Sequence, residues 1–249
     1  MAGHSKWANI KHKKGRQDAK KGKLFTKFGR EIMVAVKMGG ADTALNPRLK
    51  LALQKARAAN MPNDNINRII QKALGDDGGA NYEELTYEGY GVGGAAVMVD
   101  VLTDNRNRAA GEIRHAFDKF GGNLGETGCV GWMFETRGQI LVDARPDQAD
   151  ELTLTAIEAG ADDVEYDDGT LTLYTAQGDL ESVREGLEAA GVTVSSAEIA
   201  KIAQTSVMID DLETAQKLVK MMDALEDNDD VQDTWSNFDF TDEISGKLS

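Results

Sequence analysis

The side chains in this sequence best placed to do chemistry are cations. Lys6, Lys11, Lys13, Lys14, Arg16, Lys20 and Lys21 stand between Met1 and Gly22, opposed only by Asp18, and Lys23 follows at once. Cations at this density neutralise phosphates and release their counterions, so the run reads as a contact for nucleic acid. Trp7 and His12 lie within it. An indole among lysines can stack on a base while its neighbours hold the backbone. The bland alternatives are a solvated charge run and a Trp7 packed back on adjoining helices. A second candidate is the stretch Thr103-Asp104-Asn105-Arg106-Asn107-Arg108, where a predicted strand hands over to a predicted helix. Asp104 or Asn105 can cap that helix. Arg106 and Arg108 then fall in its first turn, where the macrodipole disfavours cations. A bound phosphate would suit both arginines and the free backbone N–H groups. The alternative is that both pair with the acidic surface of the same lobe.

Catalysis finds little support. The histidines are His4, His12 and His115, and Cys129 is the single cysteine. Neither a zinc site nor a cofactor site can be assembled from them. The 42 carboxylates are scattered and single out no acid/base pair. Gly89, Gly91 and Gly94 spell G-x-G-x-x-G, but the residues that follow (AAVMVDV) read as a strand, whereas a dinucleotide site needs a helix N-terminus there. We therefore read a hairpin turn, no cofactor, no small-molecule substrate and no enzyme.

The charge is split along the chain. Residues 1–75 hold 17 Lys/Arg against 4 Asp/Glu, a formal +13; the remainder holds 11 against 38, a formal −27. A polyanion would attract the first part and repel the second. The apolar share of 41% suits a folded protein. A single cysteine fits a reducing compartment. MAGHSKWANIKHKK lacks the apolar core of a secretory signal, and no stretch approaches a membrane helix. The expectation is a soluble cytoplasmic protein with no membrane partner.

The elements that must position these residues follow from periodicity. Residues 1–22 have too few apolar side chains to bury and read as a mobile arm or short helix without tertiary support. Three helices follow: one striped by Phe25, Phe28, Ile32, Ala35 and Val36, a second opened by Asn46-Pro47 and striped by Leu49, Ala52, Leu53 and Ala56, and a third opened by Pro62 and striped by Ile66, Ile69, Ile70, Ala73 and Leu74. Their outer faces are expected to be cationic. Residues 76–81 read as a linker. Strands at 84–89 and 95–103 precede a helix at 105–120, with 121–125 as helix stop and turn. Residues 138–200 spell β-α-β-β-α-β, the ferredoxin-like split unit. A helix at 211–225 and a strand at 231–238 are expected to complete the unit begun at Tyr82, and the acidic stretch 226–230 reads as a solvated loop. The fold class is α+β: an N-terminal helical domain plus two α/β domains of ferredoxin-like character, one inserted in the other. The expected divisions are 1–75, a discontinuous 82–136 with 200–240, and an inserted 137–199.

MAGHSKWANIKHKK, GKLFTKFGREI, NPRLKLAL, NMPNDNINRII, YEGYG, TDNRNR and GGNLG, in this order, resemble the YebC/PmpR family, to which the mitochondrial translational activator of cytochrome oxidase also belongs. Val92, Ala44 and Ala109 depart from residues usual in that family, as does the lack of proline in 199–205. None of these departures removes a cation. The resemblance implies three domains and a non-enzymatic role in gene expression. Members are described as DNA-binding transcriptional regulators, and others as ribosome-associated factors that help translation through proline runs. The expected partner is therefore duplex DNA, or ribosomal RNA and the ribosome. No helix-turn-helix signature stands out, and no helix aimed at base edges can be named from the sequence. A third reading is a protein-interaction module using the sheet edges.

Overall fold

The structure, a computed structural model, describes residues 21–75, 81–167 and 169–248. It divides into two compact units. One holds the described residues up to Val130 together with Glu213–Thr234; the other holds Gly131–Leu212 and the described residues from Trp235.

The first unit begins with α1 (Lys21–Gly39), α2 (Pro47–Ala58) and α3 (Asn63–Leu74). Ile32, Ala35, Val36, Leu49, Leu53, Ala56, Met61 and Ile66 form their common core, with Phe25, Phe28, Ile69 and Ile70 packed against it. Full burial of each large aliphatic here contributes about 2 kcal/mol. Leu74, expected in the stripe, is exposed. Asn46 ties α1 to α2. Its Oδ1 accepts from Leu49 N at 3.0 Å, capping α2, while its Nδ2 donates to Ala35 O and Gly40 O, each at 2.8 Å. One buried amide thus satisfies orphan groups at the end of one helix and the start of the next. The turn of residues 59–62 is equally determined. Asn60 takes a positive φ of 60°, Met61 N donates to Ala56 O at 2.9 Å and Asn60 N to Arg57 O at 2.9 Å. This is the helix stop in which a left-handed residue lets two amides return to the last turn. Gly29 makes α1 and α3 approach closely: a Cβ there would stand 3.2 Å from Ile69 Cδ1.

The same unit contains a four-stranded sheet of order β3-β1-β2-β9, made from β1 (Glu83–Tyr90), β2 (Ala96–Thr103), β3 (Asn123–Leu124) and β9 (Val231–Ser236). The helices of this region are α4 (Arg106–Lys119) and α7 (Leu212–Glu226). The G-x-G-x-x-G stretch is the hairpin turn between β1 and β2, with φ of +76° at Gly93 and +78° at Gly94. Gly89 has a packing role, since a Cβ would meet Asn123 O at 2.5 Å and Phe117 at 2.8 Å. Residues 121–125, expected as a turn alone, also supply β3, which pairs with Gly89 and Tyr90.

In the second unit β4 (Phe134–Asp143), α5 (Ala149–Glu158), β5 (Asp163–Asp167), β6 (Thr170–Thr175), α6 (Leu180–Ala189) and β7 (Val194–Ala203) follow the ferredoxin-like grammar. The strand order is β5-β6-β4-β7, with antiparallel neighbours throughout. The pairing of β4 with the edge strand β7 reaches past both expected borders: Phe134 pairs with Ala203, outside 137–199. The strand expected over 231–238 is broken after Ser236. Its second piece, β10 (Phe238–Phe240), pairs in parallel with β8 (Val207–Ile209) in a separate two-stranded sheet. Phe238 and Phe240 are wholly buried with ring centroids 5.3 Å apart, and α8 (Asp242–Leu248) follows. Apolar periodicity alone does not reveal that break, because each piece is sheet-forming by residue type. The segment changes sheets at Asn237, whose carbonyl accepts from Val207 N at 2.8 Å.

Candidate nucleic-acid interface

Of the sequence-predicted contacts, Lys6, Trp7, Lys11, His12, Lys13, Lys14, Arg16 and Lys20 lie outside the described residues. Lys21 opens α1, and its side chain also lies outside them. Lys23, Arg106 and Arg108 are described, and the structure gives them three different situations.

Lys23 belongs to a row on α1 that faces the end of α7. Lys23 Nζ donates to Asp227 O at 2.9 Å, Lys27 Nζ to Glu226 O at 2.6 Å, and Arg30 Nη1 to Asp229 O at 2.6 Å. The last turn of α7 carries no basic residue of its own. Its unpaired carbonyls and the negative end of its dipole are met by cations of α1 instead. The expected cationic outer face of α1 is therefore turned inward on this side. The stretch 226–230 is correspondingly not the solvated loop expected.

Asp230 is its centre. The carboxylate is 4% exposed. Oδ1 accepts from Arg30 Nη1 at 2.5 Å, and Oδ2 from Arg108 Nη2 at 2.7 Å and Thr103 Oγ1 at 2.8 Å. Burial pushes this carboxyl upward, but the hydrogen bonds from Arg108, Thr103 and Arg30 together outweigh it and hold it below its ordinary value of 3.8. Arg108 also reaches Asp104 at 2.9 Å. Its guanidinium is held in the charged form chiefly by the hydrogen bond to Asp230.

The two arginines read together from the sequence thus part company. Arg108 is engaged by acidic groups of its own lobe. Arg106 is exposed, and among the described residues its side chain has no ion pair. The cap is Asn105, whose side chain accepts from Arg108 N at 3.0 Å, which leaves less of the helix end for an anion.

Sequence reasoning expected a cationic outer face on α3 but did not name its residues. Its buried side is set by Ile66 and Ala73, with Ile69 and Ile70 half-buried. Asn67, Arg68, Gln71 and Lys72 are consequently exposed together. Among the described residues neither Arg68 nor Lys72 has a carboxylate partner. The 3.6-residue period that revealed the apolar stripe also held this signal.

Other chemistry is not assembled. Among the described residues no group of His, Cys, Asp and Glu could hold a metal ion, and no helix is long and apolar enough to cross a membrane. His115 is exposed on α4. Burial and then the charge of Glu88 push the Cys129 thiol up, which disfavours the nucleophilic thiolate.

Comparison with known proteins agrees with this architecture. Residues 5–76 match the TACO1/YebC protein N-terminal domain, and residues 82–238 match the TACO1/YebC second and third domain. A protein of Desulfitobacterium hafniense is 56% identical over 247 residues, covering 98% of each chain, and one of Halothermothrix orenii is 54% identical over 251 residues, covering 100% of this chain and 99% of its own. Both bear the name probable transcriptional regulatory protein. The crystal structure of a conserved hypothetical protein from Aquifex aeolicus superposes with a TM-score of 0.84 at 48% identity, covering 91% of this chain and 93% of that one.

Proposed function

The chain belongs to the TACO1/YebC family, and we propose that it is a non-enzymatic, cytoplasmic nucleic-acid-binding regulator of gene expression acting on duplex DNA. The observation that carries this reading is the formal +13 of residues 1–75 in a chain whose remainder is −27. The basic module draws the phosphate backbone, and the acidic lobes stay away from it. Lys6, Trp7, Lys11, His12, Lys13, Lys14, Arg16, Lys20, Lys21 and Lys23 are the proposed contacts of this module, with Arg106 as an outlying cation. Lys23 and Arg108 have a weaker claim, because a phosphate would have to displace Asp227 from the first and Asp230 from the second. The division into 1–75, 82–136 with 200–240, and 137–199 is part of the same proposal.

A second reading, a ribosome or ribosomal-RNA binder active in translation, is favoured by one feature. A lysine-rich arm carrying Trp7 suits irregular RNA, where unstacked bases are available. Co-sedimentation with ribosomes, beside salt-titrated competition between duplex DNA and ribosomal RNA, separates the two. Duplex binding that survives competitor RNA supports the regulator. Retention on ribosomes at physiological salt, lost when Lys11, Lys13 and Lys14 are changed to Glu, supports the translation factor.

A further inference from the structure

The geometry points to the outer face of α3 as a second nucleic-acid contact, separate from the basic arm, with Arg68 and Lys72 on phosphates and Asn67 and Gln71 on base edges. This rests on the reading of residues 1–75 as a nucleic-acid-binding module.

Lys23, Lys27, Arg30, Arg48 and Arg108 are all spent within the protein: the first three on the α7 end, Arg48 on Glu31 at 2.8 Å and on Glu84, and Arg108 on Asp230 and Asp104. Arg68 and Lys72 are exposed and lack ion pairs among the described residues. They stand one helical turn apart, so both cations project from one side of α3. Arg57, in the last turn of α2, adds a third exposed cation next to the turn that leads into α3. The face carries one carboxylate, Asp64, which lies in the first turn and suits the positive end of the helix dipole.

A helix covered only for solubility needs charge of any kind. This one places Asn67 and Gln71 between and beside the cations, and amide side chains can make paired hydrogen bonds to adenine in the major groove. At 12 residues α3 is about 18 Å long, and the B-form major groove admits an α-helix.

A contact surface is useful only when it is held still. α3 is held by the close approach of Ile69 to Gly29, by buried Ile66 and Ala73, and by the helix stop at residues 59–62, where Met61 is buried. The face therefore stands on a packed three-helix core.

The test uses the full-length protein with a short duplex DNA and an RNA duplex of the same sequence, measured by anisotropy across a salt series. R68A/K72A is expected to weaken binding at moderate salt and to flatten the slope of log K against log salt on DNA by about 1.8. N67A/Q71A is expected to weaken binding to DNA about tenfold with no change in slope. The same variant should leave RNA binding unchanged, because the A-form major groove is too narrow for side chains. Melting curves of both variants should match the parent, since none of the four side chains is buried. An R68A/K72A protein with unchanged affinity and slope overturns the proposal while the arm remains a binder. If N67A/Q71A has no effect on DNA, the base-edge contacts are overturned and only the phosphate contacts stand. A parent protein that binds neither duplex overturns the reading of the basic module, and this inference falls with it.

Discussion

α1 and α3 belong to one three-helix core, and both are rich in cations, yet they present opposite surfaces. The α1 cations Lys23, Lys27 and Arg30 are bound to the last residue of α7 and the segment that follows it, roughly two hundred residues away in sequence. Those of α3 face away from the protein. The contrast teaches that a count of lysines and arginines measures potential for binding phosphate, while availability depends on where the carboxylates and carbonyls of the same chain come to rest. α7 ends without a basic residue, and its dipole is completed from outside by α1. The cost is that these three cations, of which the sequence names Lys23 as a nucleic-acid contact, are engaged within the protein.

The largest expected effect that would break this contrast is at Asp230. Asp230→Ala leaves Arg30 and Thr103 without their shared acceptor, and loss of one member of a buried ion pair should cost about 3 kcal/mol in chemical denaturation. Arg68→Ala, at the other pole of the comparison, should change stability by less than about 0.5 kcal/mol. Equal effects would mean that α1 and α3 cations are used alike. The pH dependence sharpens the point. Because the Asp230 carboxyl titrates lower in the folded chain than its ordinary 3.8, its contribution is fully present above that value and fades as pH falls through the lower, folded one. The stability gap between the parent and Asp230→Asn should therefore narrow only in acid, and a gap that stays constant down to unfolding would show that the charge of Asp230 is immaterial.

Asn46→Ala comes next. It removes the α2 cap and the two bonds that hold the end of α1, at an expected cost of about 2 kcal/mol, read as a lower melting temperature. The smallest pair of effects separates the two arginines of α4. Arg108→Ala should cost about 1 kcal/mol, since its guanidinium is partly exposed and its ion pairs are screened. Arg106→Ala should leave the denaturation midpoint unmoved. A large loss for Arg106 would place it in the internal network with Arg108.

Much of the fold was legible in local signals. Asn46-Pro47 announced a capped helix because one side chain and its neighbouring backbone suffice for that chemistry. The β-α-β-β-α-β grammar of 138–200 was readable because alternation and helical period are properties of short windows. The site was less legible. The arm stands out by composition, and Arg106 and Arg108 by their awkward place at a helix start, but nothing near Arg108 in sequence names Asp230 as its partner. The face of α3 was present in the same periodicity as its buried stripe. A cationic outer face was expected on all three helices, but Asn67, Arg68, Gln71 and Lys72 were not singled out, because attention to apolar residues leaves the polar complement unread.

By itself the sequence determined the segregation of charge, the three N-terminal helices, the ferredoxin-like order of elements and the family, all of which depend on residue type and short-range spacing. Only the tertiary structure decided which cations remain free, that 226–230 is a hub where a solvated loop was expected, and that 231–240 serves two sheets. The physical reason is common to all three. Ion pairs, helix-end partners and strand neighbours form between segments far apart in the chain, and their identity is set by packing, which no local window contains.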